Sequence, residues 1–545
     1  MQERVNHLLP GQSRWPVDPD EPVIQLRGVS KRFDGRLVLD GLNLDIHTGI
    51  TTVIAGESGS GKSVLLKLMN GLMLPDEGQV LLFGRDTRKV DGIELLALRK
   101  RITMMFQNYA LMDSMTVYEN VAFPLYENTR MRWKTILPLA QELLDMLGLS
   151  DAGEKLPSEI SGGMKKRVSL ARAIISNPEV VLFDEPTTGL DPVMIEFVDK
   201  MIVEARERFG ITSVIISHDM TSTVNLADKL AILEDGKISL YGTVEEVIAK
   251  PTPLVEVFFE DIGRLDSEVE ADTRPGHAVY ALEPGETAIA ELHGVHKSFG
   301  PHHVLRGVDL VVPRDKITVI IGGSGSGKSV IMKHIIGLMQ PDRGTIRVFD
   351  VDLGSLNTRQ LLSLRERYGM VFQGAALLDA MTVEGNIGFP LRERRAESKS
   401  VIKDRIDEML RKLRLTDIAH RMPSEISNGQ RKRVGLARAM ITQPELIIYD
   451  EPTTGQDPVL TRYLDDMIVE AQALFDVTSL VVSHDMPSAF RTGDQIAMLH
   501  KGQILAAESP AGLREVEDPR VRRFIYAGTR EGEVAAAEIV ARKLS

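Results

Sequence analysis

Two copies of a glycine-rich segment have the spacing that suits phosphate binding. GESGSGKS begins at Gly56 and GGSGSGKS begins at Gly322, and both match the pattern GxxxxGK[ST]. Each follows a β-branched run and precedes a helical pattern, so its backbone N–H groups are expected to cradle phosphate oxygens at a helix N-terminus. A plain glycine-rich turn is disfavoured, because both copies share this context. We expect the lysines to reach the β and γ phosphates and the serines to bind Mg²⁺: Lys62, Lys328, Ser63 and Ser329.

An acidic pair closes an apolar run in each copy. VVLFDEP and LIIYDEP place four apolar residues before the two acids, so the carboxylates are expected in the crevice at the carboxyl end of a buried strand. Asp184 and Asp450 suit Mg²⁺ bound through water. Glu185 and Glu451 suit the polarisation of an attacking water. One such motif alone would favour a strand with an acidic turn, but this motif recurs at a fixed distance from the glycine-rich segment.

A histidine follows each acidic pair at a further predicted strand end, in SVIISHDM and SLVVSHDM. A lone histidine in such a place is more often structural. His218 and His484 stand at the same distance from their acidic pairs, and this repetition favours a role in the same site.

The sequence contains two copies of one large unit. The glycine-rich segments, the acidic pairs and the histidines recur at an offset of 266 residues without insertion or deletion, which indicates duplication of a complete domain. The segment between the copies is acidic and lacks helical or strand periodicity, so it is interpreted as a linker. The predicted parts are an N-terminal extension, domain one, the linker, domain two and a C-terminal tail: 1–22, 23–261, 262–287, 288–528 and 529–545.

Each copy alternates two kinds of pattern. Runs such as TTVIAG end at glycine or carboxylate and alternate with helical patterns such as SVLLKLMNGL, which predicts an α/β domain with a parallel sheet and crossover helices. Short alternating runs before the glycine-rich segment predict an added antiparallel sheet. Residues 108–173 are predicted to be mostly helical, and the tail contains a short helical stretch, EVAAAEIVARKL.

Composition excludes several classes of function. The net charge of −12 disfavours a large nucleic-acid surface. The absence of cysteine excludes disulfides and cysteine-based metal sites. The N-terminus has no apolar core of the length of a signal peptide, and no apolar run reaches the length of a membrane span. We therefore expect a protein that is soluble or attached to a membrane from outside.

Together these motifs resemble the nucleotide-binding domain of ABC ATPases, and the resemblance covers nearly the whole chain. It implies two tandem P-loop NTPase domains of ABC type, each with a mixed sheet core, an antiparallel β subdomain and a helical subdomain. It also implies hydrolysis of ATP to ADP and phosphate with Mg²⁺, coupled to transport. In this family the signature LSGGQ opens a helix whose N-terminus faces ATP held by the opposite domain. ISGGM and ISNGQ match it loosely, which would explain why one chain carries the run twice.

The resemblance carries further site residues onto this sequence. The family's glutamine between core and helical parts, with a catalytic and Mg²⁺-binding role, matches Gln107 and Gln373. Its adenine-stacking aromatic residue matches Phe33 and Phe299. The remaining nucleotide contacts implied are Gly56, Ser58, Gly59, Ser60, Gly61, Ser161, Gly163, Gly322, Ser324, Gly325, Ser326, Gly327, Ser427 and Gly429.

The second signature departs from the first at one position, where Asn428 replaces Gly162. Because asparagine is the residue after glycine that best tolerates left-handed backbone geometry, we predict that the substitution is tolerated there. By the head-to-tail rule it affects the site built on Lys62. The hypothesis is that both sites hydrolyse ATP and that their hydrolysis rates can differ.

The segments between the motifs indicate which branch of the ABC ATPases the chain resembles. FQNYALMDSMTVYENVAFPL and FQGAALLDAMTVEGNIGFPL lie where the coupling helix of an ABC permease is received, and with EDPRVRRFIYAG they resemble the ATPase of MCE-type lipid transport systems such as the Mla phospholipid system. That ATPase is ordinarily a single-domain chain that forms a homodimer, whereas two copies are fused here. The resemblance implies a transmembrane permease, an MCE-domain substrate-binding protein and a STAS-domain regulator as partners, at the cytoplasmic face of the bacterial inner membrane.

Two other classes stay open. A tandem ATPase for small-solute import often has one degraded catalytic half, but both glutamates and both histidines remain here. A non-transport ABC protein acting on ribosomes would carry a long basic linker, and one acting on DNA would carry cysteine zinc modules. The sequence also leaves open whether the domains pair within one chain or between chains.

Overall fold

A computed structural model describes residues 22–106, 109–250, 252–266, 282, 285–394 and 397–527. The described residues fall into two compact units, within Met1–Thr188 with Met194–Arg264, and within Gly189–Val193 with Leu265–Ser545. The helix Pro253–Asp266 extends beyond the predicted end of domain one, so residues 262–266 of the predicted linker are helical. The helical stretch predicted for the tail lies outside the described residues.

The strands follow the predicted alternation. Those of the first unit are β1 Ile24–Phe33, β2 Arg36–Ile46, β3 Thr51–Ala55, β4 Glu77–Leu82, β5 Arg85–Asp86, β6 Ile102–Met105, β7 Val180–Asp184, β8 Thr212–Ile216, β9 Lys229–Glu234 and β10 Lys237–Gly242. Those of the second are β11 Ala288–Phe299, β12 His302–Pro313, β13 Ile317–Ile321, β14 Arg343–Val348, β15 Val351–Asp352, β16 Tyr368–Val371, β17 Leu446–Asp450, β18 Thr478–Val482, β19 Gln495–His500 and β20 Gln503–Glu508.

The α-helices repeat in the same way. The first unit has α1 Lys62–Met69, α2 Gly92–Arg99, α3 Val117–Asn128, α4 Trp133–Met146, α5 Gly162–Ile174, α6 Pro192–Phe209, α7 Met220–Leu226, α8 Val244–Ile248 and α9 Pro253–Asp266. The second has α10 Lys328–Ile335, α11 Thr358–Arg365, α12 Val383–Arg394, α13 Lys399–Lys412, α14 Asn428–Met440, α15 Pro458–Phe475, α16 Met486–Thr492, α17 Pro510–Arg514 and α18 Pro519–Ile525. Within the described residues, no helix combines the length and apolar character needed to span a bilayer.

Two sheets build each unit. In the first unit the six-stranded sheet has the order β10-β9-β3-β8-β7-β6, and a four-stranded sheet has the order β2-β1-β4-β5. The larger sheet is parallel except for the β9–β10 pair, and the smaller sheet is antiparallel. The second unit repeats both orders. The predicted mixed core and added antiparallel sheet are therefore confirmed.

An apolar core joins the two sheets of each unit. In the first, Ile24 of β1, Ile54 of β3, Leu65 and Leu66 of α1 and Leu182 of β7 belong to one buried cluster. Full burial of such a side chain stabilises the fold by roughly 1.5–3 kcal/mol, so the cluster fixes α1 against the sheet. Because β3, β8 and β7 are parallel neighbours, their carboxyl ends meet at one edge. The glycine-rich segment, the acidic pair and the histidine, which lie at or directly after the ends of these strands, therefore gather there.

Candidate nucleotide-binding and hydrolysis sites

The glycine-rich segments form the loops that link β3 to α1 and β13 to α10. Gly61 and Gly327, the residues before the two helices, have φ angles of 105° and 112°, a conformation that L residues rarely adopt. A Cβ atom added to Gly56 would lie 2.3 Å from the Leu233 carbonyl oxygen, and one added to Gly322 would lie 2.2 Å from that of Leu499. Glycine is thus required at both ends of each loop.

The loop lysines are buried beneath these loops. Lys62 donates hydrogen bonds from Nζ to the carbonyl oxygens of Gly56 and Glu57, both at 2.7 Å. Lys328 donates to Gly322 and Gly323 at 2.6 and 3.2 Å, and burial lowers the pKa of Lys328. The loop carbonyls therefore hold each ammonium group inside its loop, where it is available to bind an anion.

The serines of the loops supply oxygen donors. The hydroxyl oxygens of Ser60 and Ser326 are buried and have no hydrogen-bond partner within the described residues, as expected of groups that await a polar ligand. Ser63 and Ser329 lie in the first turn of their helices and are exposed. Together with the turned backbone, these hydroxyls fit a polyphosphate.

The predicted Mg²⁺ donors are a hydroxyl and a carboxylate in each unit. Asp184 and Asp450 end β7 and β17 and are half-buried. Burial, with the adjacent glutamate, raises the pKa of each. Among the described residues no cluster of three or more His, Cys, Asp or Glu side chains could hold a metal. Mg²⁺ fits this sparse oxygen donor set, because it is usually bound by one or two protein groups together with water and substrate phosphates.

The two candidate water-polarising glutamates adopt left-handed backbone geometry, with φ of 50° at Glu185 and 47° at Glu451. Such geometry costs a non-glycine residue about 1–3 kcal/mol and persists only where the surroundings impose it. Here the Glu185 N–H donates to the Ile216 carbonyl at 3.0 Å, and the Glu451 N–H donates to Val482 at 2.9 Å. Each glutamate is thus anchored on the neighbouring strand.

A threonine and a histidine side chain lie against each glutamate carboxylate. The Thr188 hydroxyl donates to Glu185 Oε2 at 3.0 Å, and His218 Nδ1 lies 3.4 Å from Glu185 Oε1. Burial acts to raise the pKa of Glu185, but the hydrogen bond and charge of His218 outweigh it and lower the pKa below its ordinary value. The carboxylate is therefore ionised at neutral pH, which a group that attracts a proton from water requires.

The second unit repeats this arrangement. The Thr454 hydroxyl donates to Glu451 Oε2 at 3.1 Å, and His484 Nδ1 lies 3.6 Å from that oxygen. Burial is again outweighed by His484, so the pKa of Glu451 is lowered. Residues 324–330, Glu451 and His484 line one cavity of this unit. The two threonines were missed by the sequence analysis, since threonine after an acidic pair carries no distinctive signal.

The other predicted contacts are placed as follows. Phe33 and Phe299 end β1 and β11 and are 40% and 46% exposed, so their rings are available for stacking. Gln373 is exposed, and its carbonyl oxygen accepts a hydrogen bond from Lys432. Gln107 lies outside the described residues.

The signature serines cap helices. Ser161 directly precedes α5 and accepts a hydrogen bond from the Met164 N–H at 3.3 Å. Ser427 directly precedes α14 and accepts one from the Gln430 N–H at 3.2 Å, and the Gln430 side chain also accepts from the Ser427 N–H. Both serine side chains are exposed at the positive end of a 13-residue helix.

The explanation predicted for Asn428 is wrong. Neither Asn428 nor Gly162 has a positive φ, because each is the first residue of a right-handed helix. Asn428 instead donates a hydrogen bond from Nδ2 to Gln456 Oε1 at 2.8 Å. The residues 266 positions earlier are Gly162 and Leu190, so both partners of this bond are specific to the second copy.

Each unit has one buried aspartate on the helix that follows its acidic pair, Asp199 on α6 and Asp465 on α15. Asp199 accepts a hydrogen bond from the Ser222 hydroxyl at 2.5 Å, and Asp465 accepts from Ser488 and pairs with Arg491. Burial raises the pKa of Asp199 to about 8 and that of Asp465 to about 7. Neither was predicted from the sequence, because an aspartate in an amphipathic helix is usually exposed.

Asp199 should make stability fall as the pH rises. Its pKa is higher in the folded state than the ordinary 3.8, so the folded chain holds a proton that the unfolded chain has lost, at a cost of about 1.4 kcal/mol per pH unit between those values. Asp199→Asn is neutral, and its melting temperature should fall less than that of the wild type between pH 6 and pH 8. Exposed Asp151→Asn serves as the control, and equal slopes for all three proteins would contradict the assignment.

Comparisons with known proteins agree with this geometry. The family model described as ABC transporter matches residues 39–188 and again 305–454. The intermembrane phospholipid transport system ATP-binding protein MlaF of Escherichia coli K12 is 37% identical over 240 residues, which are 44% of this chain and 89% of that protein. The probable ribonucleotide transport ATP-binding protein mkl of Mycobacterium tuberculosis H37Rv is 37% identical over 248 residues, 46% of this chain and 69% of that protein.

A solved dimeric structure of the ATP-binding cassette MJ0796, in a post-hydrolysis state with ADP and phosphate, is 31% identical and covers 41% of this chain and 98% of its own, with a TM-score of 0.38. Because the family model matches more than half of the chain, in two full copies that coincide with the loops and acidic pairs described above, the chain belongs to the ABC transporter family and is a transporter ATPase subunit with two ATP-binding domains.

Proposed function

We propose that this ATPase powers phospholipid transport through a separate membrane permease, in a system of the MCE or Mla type. The observation that carries the proposal is the 37% identity with MlaF, which covers 89% of that protein. The segments MTVYENVAFPL and MTVEGNIGFPL add support, because they resemble the permease-facing part of that ATPase. The proposal includes an MCE-domain substrate-binding protein and a STAS-domain regulator as partners, and attachment to the cytoplasmic face of the bacterial inner membrane.

The permease-facing loops are built with the precision that a docking surface needs. Asn120 is fully buried, and its amide donates to the carbonyl oxygens of Met112, Met115 and Thr116 while its oxygen accepts from the Met112 N–H at 2.8 Å. One side chain therefore determines the shape of the loop before α3. Asn386 makes the same four bonds to the loop before α12.

Two composite ATP sites are part of the proposal. Each would combine the phosphate loop of one domain with the signature helix of the other, so that Ser427 serves the ATP held by Lys62, and Ser161 serves the ATP held by Lys328. Mg²⁺, when bound, would neutralise charge on the phosphates, and Ser63 with Asp184 would hold it in the first domain. Glu185 would then accept a proton from the attacking water, while His218 keeps that carboxylate oriented and ionised.

Transport of a small polar solute is the second candidate, because the probable ribonucleotide transport protein mkl is equally identical to this chain. Purification from native membranes separates the two. A permease with an MCE-domain protein and bound phospholipid supports the lipid proposal. A permease with a solute-binding protein and no MCE-domain protein would contradict it.

A double variant tests whether the two loops before α3 and α12 bind the permease. Asn120→Ala with Asn386→Ala removes the amides that shape both loops, so we expect recovery of the permease with the chain to fall by about tenfold or more. Exposed Asn128→Ala is the control, since its amide contacts only the carbonyl of its own helix. Unchanged recovery of the permease with the double variant would show that these loops are not the docking surface.

A further inference from the structure

Two buried lysines on the signature helices have been given no role so far. Lys166 on α5 and Lys432 on α14 are 1% and 2% exposed. They occupy the same position in the two copies, five residues after the capping serine. Lysine is almost never fully buried unless its charge is compensated, so the partners of these ammonium groups indicate what they do.

Both lysines donate hydrogen bonds to carbonyl oxygens of the chain that follows the glutamates. Lys166 Nζ donates to the carbonyls of Pro186 and Thr188, the latter at 3.0 Å. Lys432 Nζ donates to the carbonyl of Pro452 at 2.9 Å and to that of Gln373. Each ammonium group therefore connects a signature helix to the residue directly after a candidate water-polarising glutamate.

That connection acts on strained backbone. Glu185 and Glu451 have positive φ angles, and a non-glycine residue keeps such a conformation only when its neighbours over-determine it. The strand on one side supplies the N–H anchor described above, and the lysine holds the chain on the other side. Thr188 also donates its hydroxyl to the Glu185 carboxylate, so the lysine holds the backbone from which that hydroxyl extends.

We propose that Lys166 and Lys432 are positioning residues for ATP hydrolysis, each holding the chain after its glutamate against the signature helix so that the carboxylate stays aligned with the attacking water. The inference rests on the proposed roles of Glu185 and Glu451. It goes beyond them in one respect. Under the proposed pairing, the signature helix that carries each lysine would serve ATP held by the other domain, so each lysine would connect a group of one ATP site to the glutamate of the second.

Burial gives this assignment independent support. It lowers the pKa of Lys166 and of Lys432 to about 8, so each charge is kept in the interior against a substantial desolvation cost. A methionine would fill the same space without that cost. In the second unit Lys432 also fixes the carbonyl of Gln373, which ties the predicted catalytic glutamine to the same point.

The test compares turnover with nucleotide affinity in the full chain. Lys166→Met and Lys432→Met, singly and together, keep the volume and lose the donors. We expect kcat of the double variant to fall by about tenfold or more, because small displacements of a reacting group have effects of this size. The KM for ATP and the melting temperature should stay near wild-type values. Lys165→Met on the same helix is the control and should keep its kcat.

Two outcomes would overturn the inference. One is a folded double variant whose kcat stays within about twofold of wild type. The other is a parallel loss of kcat, ATP affinity and melting temperature, which would show a structural role only. If the methionine variants do not fold, Lys166→Gln and Lys432→Gln are judged by the same criteria. Failure of the proposed site is distinguished by Glu185→Gln with Glu451→Gln, since hydrolysis by that protein would refute the glutamate roles themselves.

Discussion

Replacement of Glu185 and Glu451 together by glutamine should give a chain that binds ATP and does not split it. Glutamine keeps the shape of the side chain and its bond to the threonine hydroxyl, but it has no negative charge to attract a proton from water. A general base contributes about 10²–10⁴-fold to such a reaction. We therefore expect ATP turnover, measured as phosphate release, to fall by at least about 100-fold while bound ATP survives gel filtration.

The same variant tests how the domains pair. In the presence of ATP, a particle with the mass of one chain and two bound nucleotides would support pairing within the chain, and an assembly of four domains would oppose it. Glu207→Gln, which changes an exposed residue of α6, controls for the loss of charge. Normal phosphate release by the double variant would remove both glutamates from the mechanism.

Lys62→Ala and Lys328→Ala should each weaken ATP binding at one site by about 10–100-fold, because a charge-assisted contact to phosphate contributes roughly 1.5–3 kcal/mol. We expect turnover to fall in both single variants and to disappear in the double variant. Titration with a fluorescent ATP analogue, followed by steady-state assays, separates the two sites. Lys67→Ala and Lys333→Ala, exposed on the same helices, are the matched controls.

The comparison of the single variants also measures asymmetry. Under the proposed pairing, the site on Lys62 uses the signature with Asn428, and its partner Gln456 belongs to the second copy only. A single variant that keeps full turnover would show that its site is silent in the wild type. If the Lys62 site is the slower one, Asn428→Gly with Gln456→Leu restores the residues of the first copy and should equalise the rates.

Much of the fold could be predicted because its local patterns are strong and repeated. Runs such as VVLFD and TTVIA consist mostly of apolar or β-branched residues without polar alternation, which is typical of parallel strands buried on both faces. The loop of Gly56 to Ser63 is determined by glycines that no other residue could replace. The order of the strands was not predicted, since it depends on the long-range pairing of β3 with β8 and β9.

Three of the side chains that were missed share one property. Lys166, Lys432 and Asp199 are charged residues in helices, and a charge in a helix is typical of an exposed face. Their burial arises only when α5, α14 or α6 packs against its unit, so no local signal distinguishes them. Asn428 was misinterpreted for a related reason. The substitution suggested special backbone geometry, whereas its actual role depends on Gln456, 28 residues away.

The left-handed conformation of Glu185 and Glu451 has a consequence for which substitutions these positions would accumulate in the absence of selection for activity. Glycine or asparagine would relax the backbone at either position, so these two substitutions should stabilise the folded protein. A half that no longer split ATP would be free to accept them. Both halves still carry a glutamate at this strained position. This favours two domains that both hydrolyse ATP over one active and one inactive domain.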